Sequence, residues 1–232
     1  MKQPILIVVH QEASTPGRIG HRLSAMGYPL DIRRPCLGDD LPESLELHSG
    51  AVIFGGPMSV NDPECYLKRE IDWIGVPLKE QKPFLGVCLG AQMLSKHLGG
   101  TVGPHADEWV EIGYAPIRPT PAGSGLINDW PQHVYQWHRE GLTLPSGAEL
   151  LATNDLYEAQ AFRAGQSAFG IQFHPEVTRL TMHRWIVLGR HRFALKGAEP
   201  GHRHLEDQLI HDAPVAAWLE CFLSTWLSTS AH

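Results

Sequence analysis

The sequence predicts an α/β protein: an open, mostly parallel sheet flanked by helices, with an antiparallel meander added to it. Three observations carry this expectation. Unbroken apolar runs at residues 5–9, 51–54 and 84–87 have the length and branched character of strands buried on both faces. Stretches with helical apolar spacing separate them, so the early chain alternates strand and helix. From residue 101 onward the texture changes to short strand-like segments divided by Gly, Pro, Asn and Asp.

The first strand, 5–9, ends at His10 and a Gln-Glu-Ala-Ser-Thr-Pro-Gly loop. Ile19, Leu23 and Met26 then recur at helical spacing over 18–26, with Gly27 as the stop. Residues 28–32 are the second strand, which makes a βαβ opening with a right-handed crossover. The third, 51–54, runs directly into Gly55-Gly56-Pro57. Two glycines at the C-terminal end of a parallel strand turn backbone N–H groups toward a ligand or make a plain turn.

Residues 63–79 read as one helix, with Tyr66, Leu67, Ile71, Ile74 and Leu78 along its apolar stripe. Phe84, Leu85 and Val87 mark the next strand, and 91–98 a helix stopped by Gly99 and Gly100. The meander comprises 101–102, 110–114, 133–137, 149–152, 159–163 and 168–173. Residues 178–195 are expected to be helical until Pro200 and Gly201 interrupt. Asp212 before Ala213-Pro214 cues a last helix, with Val215, Trp218, Leu219, Phe222, Leu223 and Trp226 on one face. Residues 178–230 would then form a helical cover over one domain spanning 1–232.

A formal net charge of −6 leaves no basic footprint for nucleic acid or an anionic membrane surface. The longest apolar runs are too short to span a bilayer, and the first ten residues lack a signal peptide's apolar region and cleavage site. A cytoplasmic protein acting on a small soluble substrate is expected. The 4 cysteines, Cys36, Cys65, Cys88 and Cys221, are far apart with no C-x-x-C spacing, which fits reduced thiols.

Cys88 stands out among them. Gly86-Val87-Cys88-Leu89-Gly90 has the G-x-nucleophile-x-G spacing of a tight strand-to-helix elbow, with a thiol in place of the usual hydroxyl. Such an elbow needs small residues two positions either side, and it aims the thiol at a helix N-terminus that favours negative charge. A nucleophile of this type needs a base, and the base needs a third group to orient it. Phe169-Gly170-Ile171-Gln172-Phe173-His174-Pro175-Glu176 supplies both: Pro175 stops strand pairing, and His174 and Glu176 can reach one locus at the strand's end. A zinc site built from the same three ligand types is the alternative, although paired local spacing is missing.

Three blocks, Phe54-Gly55-Gly56-Pro57, Gly86-Val87-Cys88-Leu89-Gly90-Ala91-Gln92 and Gly170-Ile171-Gln172-Phe173-His174-Pro175-Glu176, together resemble the class I glutamine amidotransferases. The likeness is to stand-alone relatives of the glutaminase domain of GMP synthase, and is good over about 50–180. It implies a flavodoxin-like sheet and no cofactor or metal. It also implies that Cys88 attacks the γ-carboxamide carbon of glutamine, that His174 manages the protons and that Glu176 orients His174. The backbone N–H groups of Gly56 and Leu89 would form the oxyanion hole, with Gly55 and Gln92 helping to bind substrate.

In the segment Val134-Tyr135-Gln136-Trp137-His138-Arg139-Glu140, relatives often have a histidine followed by Gly-Asp, and Arg139-Glu140 departs from that pattern. Gln136, Trp137 and His138 are candidates to line the pocket, a core role being the alternative for Trp137. With no synthetase segment after residue 232, the ammonia would pass to a separate synthetase or acceptor subunit or be lost as plain glutaminase activity. Two other functions stay open: a γ-glutamyl peptidase using the same thiol on a different γ-glutamyl amide, and a non-catalytic module that keeps a reactive cysteine.

Overall fold

The computed structural model describes residues 2–229. In chain order the elements are β1 (Ile5–Val8), α1 (Gly17–Ala25), β2 (Leu30–Arg33), β3 (Gly50–Ile53), α2 (Cys65–Trp73), α3 (Gly75–Lys79), β4 (Phe84–Val87) and α4 (Leu89–His97). There follow β5 (Val102–Pro104), β6 (Glu111–Pro116), β7 (Arg118–Pro119), α5 (Pro121–Leu126), β8 (His133–His138), β9 (Glu140–Leu142) and β10 (Glu149–Thr153). The chain continues through β11 (Ala161–Ala164), β12 (Ala168–Ile171), α6 (Arg179–Leu188), a 3-10 segment (Arg190–Ala194) and α7 (Gly201–Ser228).

Eight strands form one sheet in the order β2-β1-β3-β4-β12-β11-β10-β7. The first five run parallel, and β11, β10 and β7 extend the sheet antiparallel. The meander therefore divides: part of it widens the main sheet, while β5 with β9 and β6 with β8 form two separate ribbons.

Alternation along the parallel strands builds a core on each face. Ile5, Ile7, Val52, Leu85 and Val87 pack under α1 and α7, against Ile19, Leu23, Trp218, Phe222 and Trp226. Leu6, Val8, Ala51, Ile53 and Phe84 face α2 and α4, against Leu67, Trp73, Met93 and Leu94. Runs apolar at every position are what two-sided burial requires.

Three helix expectations need correction. Residues 63–79 are two helices meeting at Ile74, because Gly75 packs against His97 and Pro77 has no N–H to continue the ladder. The helix expected at 178–195 stops at Leu188, where a Cβ on Gly189 would lie 2.4 Å from Cζ2 of Trp137. Pro200 and Gly201 do not interrupt a helix but start α7, which carries Pro214 in its interior. Asp212 is no cap: both its carboxylate oxygens accept from Arg18, at 2.6 and 2.7 Å, tying α7 to α1. Residue 230, the last of the expected helical cover, lies outside the described residues. The short α5, capped by Thr120 over the Gly123 N–H, was not anticipated either.

Register brings the site together. β4 pairs with β12 so that Val87 lies beside Ile171, and the Cys88 N–H donates to the Ile171 carbonyl at 2.8 Å. Val9, Phe54, Cys88 and Phe173 thus leave four strands at the same carboxyl edge, where open α/β sheets place their ligands.

Candidate active site at the carboxyl edge of the sheet

Cys88 occupies the turn between β4 and α4 with φ 51° and ψ −103°, in the half of conformational space that side chains avoid. The two glycines around it are sterically required. A Cβ on Gly86 would lie 2.4 Å from the Gly90 carbonyl, and one on Gly90 2.1 Å from the Ile53 carbonyl. The backbone closes on itself at that distance, so the elbow holds its thiol at the first turn of α4, whose N–H groups have no intrahelical acceptor.

His174 leaves the sheet edge when its N–H donates to the Tyr135 carbonyl at 2.8 Å. Its Nδ1 lies 2.7 Å from Oε1 of Glu176, and both side chains are buried. Trp185 packs edge-on to the ring with centroids 4.8 Å apart. Nε2 is buried, and among the described residues no group other than Cys88 interacts with it. Cys88 stands beside this ring and interacts with it: a Cβ built on Gly55 would lie 3.0 Å from Cε1 of His174 and 3.5 Å from Cβ of Cys88.

Burial alone depresses the basicity of the His174 ring. The charges of Glu176 and then Cys88 outweigh it, and the pKa is pushed up to about 10. A ring that stays protonated beside a sulfur favours negative charge on that sulfur.

A cavity of about 530 Å³ opens over these groups. Gly55, Gly56, Pro57, Cys88, His174 and Glu176 line it together with Trp137, Arg184, Trp185 and Arg192. Arg184 also reaches across to the Ala13 carbonyl at 3.0 Å, joining α6 to the loop after β1. Arg192 is half-buried and has no acidic partner among the described residues; burial and then the nearby Arg139 guanidinium lower its proton affinity.

The other expected pocket residues divide. Trp137 lines the cavity and also packs against Trp185, Phe193 and Gly189. Leu89 begins α4 beneath Cys88, its side chain in the core. Gln92, Gln136 and His138 are not in the cavity wall. Gln92 donates to the Glu140 carbonyl at 2.8 Å and to Oε1 of Gln172 at 3.3 Å, behind the sulfur. Gln136 donates to Gln160 at 2.6 Å. His138 lies between the Glu111 carboxylate, at 2.9 Å, and the Glu140 carbonyl, at 3.0 Å.

Sequence reasoning missed Glu111, which also accepts from Asn154 and Gln160 and so gathers β6, β8 and β11's approach into one buried network. It also missed Gln172, whose Nε2 donates to Sγ of Cys88 at 3.6 Å. Gln172 lies inside the third motif, two residues before His174, and that nearness was its only signal. Among the described residues no group of three or more His, Cys, Asp or Glu is arranged to hold a metal ion.

The family model for glutamine amidotransferase class-I matches residues 8–187. The chain belongs to the class I glutamine amidotransferase family. Among curated relatives, the GMP synthase [glutamine-hydrolyzing] of Neisseria gonorrhoeae is 33% identical over 158 residues, 66% of this chain but 29% of that protein. The chain's match therefore spans less than a third of such synthases. The glutamine amidotransferase-like protein YfeJ of Salmonella typhimurium is 30% identical over 180 residues, 74% of each chain. Among solved structures, a glutamine amidotransferase from Thermotoga maritima shares 29% identity with a TM-score of 0.88, covering 98% of this chain and 99% of that one. One from Methylobacillus flagellatus, at 24% identity, shares the fold with a TM-score of 0.92 over 99% of this chain and 96% of that one. The open parallel sheet with its antiparallel extension is thus the amidotransferase fold, and no helix among the described residues is long and apolar enough to cross a membrane.

Proposed function

We propose that this amidotransferase hydrolyses the γ-amide of glutamine through a thioester on Cys88. The observation that carries the reading is the His174 ring set between two groups, with Nδ1 held by Glu176 and Nε2 left to no group but the neighbouring Cys88. A base oriented at one nitrogen and left to the nucleophile at the other is what proton transfer to and from a substrate needs.

In this mechanism the thiolate of Cys88 adds to the γ-carbonyl carbon, and the carbonyl electrons move onto oxygen. The N–H groups of Gly56 and Leu89 receive that charge, each commonly worth about 3 kcal/mol in the transition state. As the carbon–nitrogen bond breaks, the proton on Nε2 passes to the leaving nitrogen, giving ammonia and a thioester. Water then gives a proton to Nε2 and adds to the thioester carbon, and collapse releases glutamate and the thiolate. The ammonia would pass to a separate synthetase or acceptor subunit, in a cytoplasm that keeps Cys36, Cys65, Cys88 and Cys221 reduced, as all four are free.

A second reading, a γ-glutamyl peptidase, is favoured by one observation. The cavity that holds Cys88 is also lined by Arg184 and Arg192, cations that suit a carboxylate on a substrate larger than glutamine. Ammonia and amine release from glutamine and a set of γ-glutamyl dipeptides separates the two. Turnover of glutamine alone supports the first, faster turnover of the dipeptides supports the second, and inertness toward both contradicts the enzyme.

A further inference from the structure

His10, at the end of β1, is fully buried with Glu70 of α2, and neither side chain has any exposed surface. Its Nε2 lies 2.7 Å from Oε2 of Glu70, and its Nδ1 lies 3.1 Å from the Gly55 carbonyl. A carbonyl oxygen can only accept, so Nδ1 carries a proton and donates it there, however the pair with Glu70 is protonated. A buried His–Glu pair is costly unless both ends are satisfied, yet Oε1 of Glu70 is left without a partner among the described residues. Two ionisable groups are thus spent on holding one peptide carbonyl.

That carbonyl belongs to the same peptide unit as the Gly56 N–H. The unit is trans, so its C=O and N–H point in opposite directions. Holding the oxygen on His10 sets the direction of the N–H. Between two glycines the unit would otherwise rotate with little steric cost. His10 does not line the cavity, whereas Gly55, Gly56 and Cys88 do, so the N–H is turned from the side of His10.

We propose that His10, backed by Glu70, is a positioning residue that locks the Gly55–Gly56 peptide with its N–H presented to the oxyanion formed at Cys88. This rests on the thioester mechanism above. His10 touches no substrate; it acts through the peptide alone.

Two variants separate the lock from mere packing. In His10→Asn the side-chain amide can take the place of Nδ1 and still donate to Gly55. In His10→Gln the amide falls near the Nε2 position, keeping Glu70 and losing Gly55. Both put one amide in the same buried site, and both are also made with Glu70→Gln so that no carboxylate is buried alone.

Steady-state ammonia release is measured alongside the rate at which iodoacetamide alkylates Cys88, a displacement that forms no oxyanion. We expect His10→Gln to lose about 100-fold in kcat, the scale of one oxyanion donor, with KM and alkylation within about twofold of wild type. His10→Asn should retain most of kcat. Equal kcat in the two variants, or alkylation falling in step with turnover, would overturn the lock. A wild-type protein that releases neither ammonia from glutamine nor amine from γ-glutamyl dipeptides overturns the thioester mechanism and the lock with it, whereas an active wild type with an active His10→Gln overturns the lock alone.

Discussion

The side-chain amide of Gln172 donates to the sulfur of Cys88 at 3.6 Å, and its oxygen accepts from Gln92 on the first turns of α4. A neutral donor aimed at the sulfur steadies negative charge there without competing for substrate, and Gln92 keeps it aimed. Gln172→Leu is therefore expected to slow alkylation of Cys88 by iodoacetamide at neutral pH about fivefold, the worth of about 1 kcal/mol of hydrogen bonding. An unchanged rate would mean that the contact does not reach the nucleophile.

The close approach at the elbow predicts a stability effect. A methyl group on Gly90 would meet the backbone of Ile53 at 2.1 Å, and backbone cannot rotate out of the way as a side-chain tip can. Gly90→Ala should cost about 3 kcal/mol, at the upper end of typical overpacking. Urea denaturation followed by tryptophan fluorescence measures this; a midpoint equal to wild type would show that the elbow is looser than described.

His174 titrates far from a free imidazole. Its folded pKa of about 10 lies above the unfolded value near 6.5, so the folded state binds the extra proton between those values. The resulting stabilisation is complete below pH 6.5 and is lost as pH rises toward 10. Ring resonances followed by NMR should show a midpoint well above 6.5 in wild type, and a lower one in Cys88→Ala, where one of the two raising charges is gone. A wild-type midpoint near 6.5 would contradict the assignment.

Arg192 stands in the cavity wall with no acidic partner among the described residues. Arg192→Met keeps the length of the side chain and removes the charge. Under the peptidase reading it should raise KM for γ-glutamyl dipeptides about tenfold, the scale of one charge-assisted hydrogen bond, with kcat little changed. Replacing the dipeptide's terminal carboxylate by an amide should abolish the difference between variant and wild type; a difference that persists would place the arginine's effect elsewhere.

What could be read in the sequence was local. Cys88 was legible because Gly86 and Gly90 flank it where the backbone leaves no room for a Cβ, and the strands because two-sided burial leaves no polar alternation. The first half of α7 was hidden, since His204 and Gln208 are the residues it buries. His204 fits there only because Tyr135 and the Glu199 carbonyl, both from other elements, satisfy its nitrogens. Gln92, Gln136 and His138 had partners no spacing could reveal: Glu140 and Gln172 for the first, Gln160 for the second, Glu111 for the third. His10 looked like any histidine at a strand end, because its meaning lies in a carbonyl 45 residues away.

The central claim is that one sulfur carries the acyl group. Incubation with a glutamine-like diazoketone, followed by peptide mass spectrometry, tests it most directly. The account predicts one adduct per chain, on Cys88, absent from Cys88→Ala and accompanied by loss of ammonia release. Ammonia release that survives in Cys88→Ala, or an adduct found instead on Cys36, Cys65 or Cys221, would contradict it.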